Sequence, residues 1–230
     1  MKKISLLLTV VVLVTAHAIC LKEACAFSLN VDPPTVELTA PAGGSATYTI
    51  TTENKGDKTI MVNAYTEDWV YINNGKNKAF KPAGTTPFSC ANNVNIFPEQ
   101  FEIPAGEKKE VQFTVVLPED AKGGYYVVLF FETGIGEGED QEGLAVRFSG
   151  RLGAIVYVET ENRTVRDGSV FELHATPPTD TEPLEVVIAF ENIGNTYISA
   201  EGIINIIDKE GNIYANESIG KINTLPGDTV

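Results

Sequence analysis

Histidine, cysteine and tryptophan are nearly missing from this chain: its 230 residues include two histidines, three cysteines and one tryptophan. His17 lies in a leader-like segment, so His174 alone is left to act as a base, and no motif sets a nucleophile beside it. That pattern excludes the common hydrolytic and transfer chemistries, and we assign no catalytic, cofactor-binding or metal-binding residue. Once residues 1–26 are removed, Cys90 is the remaining cysteine, so no internal disulfide can form even in a compartment that permits one. Its expected place is among small buried hydrophobes.

Positive charge is also scarce. Lysine and arginine total 17 against 31 acidic residues, a formal net charge of −14; removing residues 1–26 takes away Lys2, Lys3, Lys22 and Glu23 and deepens it to −16. Such a surface repels phosphate and releases no counterions, which argues against nucleic acid and anionic membrane as partners. Beyond the leader, no stretch reaches the roughly 20 apolar residues of a membrane span.

Lys2-Lys3 followed by the uncharged run at 4–16 has the charge and length of a secretory signal. Two small-x-small sites compete for cleavage, Ala16-His17-Ala18 and Ala24-Cys25-Ala26, and the second leaves Phe27-Ser28-Leu29 to open a strand. Neither Cys20 nor Cys25 follows a lipobox. The expected location is periplasmic or extracellular.

The most informative positive feature is a repeat. Glu53-Asn54-Lys55-Gly56-Asp57-Lys58-Thr59-Ile60 returns as Glu191-Asn192-Ile193-Gly194-Asn195-Thr196-Tyr197-Ile198. Both copies lie between strand-like runs and carry turn chemistry, so they read as hairpin corners. Downstream of each comes a second cue, Ile103-Pro104-Ala105-Gly106-Glu107 and Leu225-Pro226-Gly227-Asp228. Two related β domains in tandem follow: residues 27–160 form the first and 161–230 the second, after a signal peptide at 1–26. The fold class is all-β, two immunoglobulin-like sandwiches. The second has no counterpart of the strands that follow Pro104, so the reading is that it is incomplete at its C-terminus.

In domain one, seven strands are expected. Ala46, Tyr48 and Ile50 alternate with threonines, and Val111, Phe113, Val115 and Leu117 share one parity, as in sheets with one wet face. Pro33-Pro34 interrupts the first strand, which fits an edge strand changing position. Residues 73–93 lack a period and read as an exposed loop.

Two neighbouring strands break this patterning. Tyr125-Tyr126-Val127-Val128-Leu129-Phe130-Phe131 is apolar on both parities, so Tyr126, Val128 and Phe130 form an apolar face that a loop, domain two or a partner must cover. The following strand, 143–159, places Leu144, Val146, Phe148, Leu152, Ala154, Val156 and Val158 on one parity, with Arg147 and Arg151 on the other. At about 3.3 Å per residue Leu144 to Val158 spans roughly 45 Å, so one half can build the sandwich while the other projects. The glycine- and acid-rich residues 134–142 read as a connector before it.

Leu144-Ala145-Val146-Arg147-Phe148, running on to Tyr157, resembles the last strand of the first domain in the PapD-like periplasmic pilus chaperones, which carry two immunoglobulin-like domains. The resemblance implies a protein that caps pilin-like or other envelope subunits by lending them alternate side chains of this strand. By position Leu144, Val146 and Phe148 match the donated side chains, and Leu152 continues their row. The family also anchors the subunit's terminal carboxylate with an Arg in the first strand and a Lys in the last. The aligned positions here hold Thr35 and Gly153, so the usual anchor is missing. A second reading stands beside this one: a structural or adhesive envelope protein whose apolar strands pack between its own modules.

Overall fold

The structure is a computed structural model and describes residues 28–139 and 145–230, with the side chains of 136–139 and 145–147 left outside that set. The leader at 1–26, its cleavage sites and Leu144 therefore lie outside the described residues. In chain order the strands of the first half are β1 (Leu29–Asp32), β2 (Thr35–Ala40), β3 (Ser45–Asn54), β4 (Ile60–Ile72), β5 (Asn77–Lys81), β6 (Val94–Phe97), β7 (Gln100–Ile103), β8 (Lys108–Val116), β9 (Gly124–Glu139) and β10 (Ala145–Thr160). The second half adds β11 (Gly168–Thr176), β12 (Glu185–Asn192), β13 (Ile198–Ile207) and β14 (Ile213–Thr224).

Two sheets face each other in the first half. One runs β1-β3-β8-β6; the other runs β2-β10-β9-β4, with β5 and β7 both on β4. Pro33-Pro34 does switch the first strand between them: β1 pairs antiparallel with β3, whereas β2 pairs parallel with β10. The ten strand segments exceed the seven expected because such breaks divide strands, and because 73–93 contributes one of its own. Ile50, Val111, Phe113, Val115 and Leu117 fill the space between the sheets with Val127, Leu129 and Phe131 of β9. Ala154, Val156 and Val158 of β10 complete that core, each fully buried.

The repeated Asn-Gly segments are corners, but not hairpins. β3 and β4 belong to different sheets, and β12 pairs with β11 while β13 pairs with β14, so each corner carries the chain from one layer to the other. A buried asparagine holds each corner open. Asn54 accepts from the Gly56 amide at 2.9 Å and donates through Nδ2 to the carbonyls of Lys58 and Ile103 at 2.7 and 2.9 Å. Asn192 does the same with Gly194 at 3.0 Å, Thr196 at 2.9 Å and Thr224 at 3.3 Å. The two sequence cues are thus parts of one motif. The Gly106 amide donates to the Asn54 carbonyl at 2.8 Å and the Gly227 amide to the Asn192 carbonyl at 2.9 Å. Gly106 and Gly227 take φ of +74° and +81°, which a side chain would strain. This equivalence aligns Pro104 with Leu225, one residue off the match that the prolines suggest.

The repeat extends into the following strand, since Glu53 pairs with Lys108 and Glu191 pairs with Thr229 in the same relation. Among the described residues the second half contains two two-stranded ladders, β11-β12 and β13-β14. Their apolar side chains are open to solvent, with Leu173, Ile203 and Ile213 each more than half exposed. The halves meet through hydrogen bonds from the Gly123 amide to the Arg163 carbonyl at 3.1 Å and from the Gly124 amide to the Asn195 carbonyl at 2.8 Å. No helix among the described residues is long and apolar enough to cross a membrane.

Candidate functional site: an open strand edge

β10 is bonded to β9 along nearly all its length, from Ala145↔Glu139 to Glu159↔Gly124. On its other side β2 covers only Ile155 to Thr160, and that cover begins where the Ile155 amide donates to the Pro34 carbonyl at 2.9 Å. From Ala145 to Ala154 the second edge of β10 has no strand beside it among the described residues. β9 likewise loses β4 after Thr133, its partner being Val62. Residues 134–139, expected in a connector, are instead strand residues of β9. The outer parts of both strands form a two-stranded ribbon beyond the sandwich.

Side-chain parity runs unbroken along β10, because the ladder irregularity at Phe148/Ser149 places the additional residue, Ile135, on β9. The row that buries Ala154, Val156 and Val158 therefore also holds Leu152 and Phe148. Leu152 is half-buried against the main core, whereas Phe148 is 54% exposed. Val146 continues the row in the backbone ladder, paired with Gly138. An exposed strand edge with large apolar side chains on one face is a template for another chain.

The opposite parity is sealed. Tyr126, Val128 and Phe130 are 2%, 0% and 3% exposed, packed in a second cluster with Trp69 and with Leu225 from the second half. A partner is not needed there: the cover comes from 73–93, which is not the plain loop that its composition suggests. β5 folds back on β4, and Phe80 meets Phe130 edge-on at 4.8 Å between centroids. The chain then returns so that the Tyr126 amide donates to the Phe88 carbonyl at 2.9 Å. Buried Asp68 fixes this return, accepting from the amides of Thr85 and Thr86 at 2.7 and 2.8 Å and from Ser89 Oγ at 2.5 Å. Asn73, Asn74 and Gly75 all have positive φ, as a tight Asn-Gly turn requires. Asn74-Gly75 between alternating residues was the sequence signal for this hairpin.

Of the cations on β10, Arg151 has its partners on the outer face. Arg151 Nη1 donates to Glu67 Oε1 at 2.6 Å and to the Tyr65 hydroxyl at 3.0 Å, and its guanidinium lies 3.9 Å from the centre of the Phe130 ring. These partners hold its pKa above the ordinary arginine value. Arg151 thus clamps the outer face rather than serving the open edge. Arg147's side chain lies outside the described set. Thr35 is exposed at the start of β2, opposite Ile155. Gly153 has no room for a side chain, since a Cβ there would stand 2.8 Å from Val128 and 2.9 Å from Phe130. The β9 side chains of Val128 and Phe130 therefore fill the space that a longer side chain at that position would need.

Tyr65 and Trp69 prove to be packing residues of the second cluster. His174 is exposed on β11. Cys90 is buried, and burial together with the nearby Asp68 charge pushes its thiol up to about 12. Among the described residues no group of three histidine, cysteine or acidic side chains gathers in metal-binding geometry.

No family model matches the sequence, and no curated protein matches it. Solved structures do. A chain of the chaperone–tip adhesin complex of CFA/I fimbriae biogenesis superposes with a TM-score of 0.50 at 15% identity, over 88% of this chain and 83% of that one. The class 5 fimbriae chaperone CfaA gives a TM-score of 0.49 at 16% identity, over 88% and 84%. The CsuC–CsuE chaperone–tip adhesion subunit pre-assembly complex of Acinetobacter baumannii gives 0.45 at 12%, over 88% of each chain. The fold is the two-sandwich fold of the fimbrial chaperones.

Proposed function

We propose that the protein is an exported, periplasmic chaperone that caps an envelope or surface-fibre subunit by strand donation from the outer half of β10. The observation that carries this reading is the change along one side-chain row: Val156 is buried within the sandwich, yet Phe148 is 54% exposed beside an edge that no strand covers among the described residues. A subunit lacking one strand has the complementary defect, an unpaired edge and an open apolar groove. Ladder hydrogen bonds attach the two backbones while alternate side chains enter the groove. Leu144, Val146 and Phe148 together contribute on the order of 5–8 kcal/mol before ordering costs, with Leu152 at the inner end of the row. The solved neighbours include complexes of chaperones with a tip adhesin and with a tip adhesion subunit, which is the kind of partner this edge suits.

The structural or adhesive alternative requires the same row to be internal packing, and the exposure of Phe148 counts against it. The test is co-expression with a pilin-like subunit that lacks one strand. The expected result is a soluble complex with the native chain and free subunit with a Leu144→Asp, Phe148→Asp variant that remains folded. Equal capture by both would remove strand donation and leave an envelope scaffold.

A further inference from the structure

The ribbon of β9 and β10 leaves the sandwich at a weak joint. The last rung between β4 and β9 is Val62↔Thr133, and the additional residue on β9, Ile135, follows two positions later. Between them lies Gly134, where a Cβ would meet no atom within 4 Å among the described residues. A bulge bends its strand, and a pair of strands on its own is marginally stable. The inner face of the joint adds little, since Leu152 is only half-buried and Phe148 is exposed.

On the outer face a polar network crosses the same joint. Arg151 and Glu132 are ladder partners, one rung inside Gly150↔Thr133. Tyr65 of β4 links them: its hydroxyl accepts from Arg151 Nη1 at 3.0 Å and donates to Glu132 Oε2 at 2.8 Å. Arg151 Nη1 also reaches Glu67 Oε1 of β4 at 2.6 Å. Hydrogen bonds from Ser149 and from Tyr65 hold the Glu132 carboxyl below the usual carboxylate range. Three strands are thus tied together where the β4 ladder stops, and the ties run out to Ser149, the neighbour of Phe148.

We propose that Tyr65, Glu132 and Arg151 are positioning residues, which fix the angle at which the ribbon leaves the sandwich and with it the direction of the Phe148 row. Half-exposed charged bonds of this kind contribute little to folding, but donors and acceptors shared among three strands restrict the ribbon to one direction. A strand already held in its docking direction loses less freedom on capture. That use in capture rests on the strand-donation reading; the fixed angle stands without it.

The test measures residual dipolar couplings and 15N relaxation on the full chain. In the native protein the amides of 145–150 should fit the alignment tensor of the sandwich, with order parameters of about 0.85. In a Tyr65→Phe, Arg151→Gln variant the sandwich couplings should stay as they are, while those of 145–150 shrink and their order parameters fall below about 0.6. Arg166→Gln removes an ion pair with Glu159 at the opposite end of β10 and should leave the ribbon unchanged. Capture of a strand-deficient subunit should weaken roughly fivefold in the double variant. Native couplings in the ribbon of that variant, or a loosened ribbon that captures the subunit as tightly as before, would overturn the assignment. Should Phe148→Asp capture the subunit normally, strand donation fails, whereas the couplings still decide whether the network sets the angle.

Discussion

The two halves of β10 differ less in residue type than in neighbours. The inner half, Ile155 to Thr160, has β9 on one edge and β2 on the other, and its Val156 and Val158 are fully buried. The outer half keeps β9, loses β2 and leaves Phe148 on the same row 54% exposed. An alternating apolar row therefore specifies a face, and neighbouring strands decide whether that face is buried core or open to solvent.

The largest effect should come from placing one charge at both ends of the row. Val156→Asp buries an unpaired carboxylate and should cost about 4 kcal/mol or more, enough to unfold the first sandwich, as urea denaturation would show. Gly153→Lys, at the junction, restores the missing cation but drives a Cβ into Val128 and Phe130; a loss of about 1–3 kcal/mol in the same assay is expected. Arg151→Ala removes the Glu67 and Tyr65 bonds and the cover over Phe130, for a loss of about 1 kcal/mol. Phe148→Asp should change stability by no more than about 0.5 kcal/mol while abolishing capture of a strand-deficient subunit.

Thiol labelling sharpens the contrast at no cost in stability. Cys90 is buried, with its thiol raised from an ordinary value of 9.0 to about 12, so at pH 8 it should stay unlabelled until the protein unfolds. Ser149→Cys in the outer half should label within the mixing time of a manual experiment. The sign of the Cys90 shift also fixes a pH dependence. A thiol raised in the folded state contributes stability that is complete below 9.0 and is lost as pH climbs through about 12.

Much of this was legible in the sequence because it rests on local pattern. The threonine alternation around Ile50, the proline switch at Pro33-Pro34 and the excess length of β10 each follow from period or backbone chemistry within a few residues. The Asn54 and Asn192 repeat was visible as well, but not its geometry, since bonds from Asn54 to Ile103 join residues far apart in the chain. The cover over β9 escaped for a related reason. Residues 73–93 are polar in composition, and what organises them is Asp68, a buried carboxylate whose three partners at Thr85, Thr86 and Ser89 carry no periodic signal. Composition likewise named Tyr126, Val128 and Phe130 as an apolar face without revealing that the same chain folds over it.

Hydrogen–deuterium exchange along β10, in the free protein and in complex with a strand-deficient subunit, tests the open edge most directly. The amides of 155–160 should be protected in both states, whereas those of 145–154 that face away from β9 should exchange rapidly alone and become protected on capture. Protection of that outer edge already present in the free protein, or no gain on binding, would contradict strand donation.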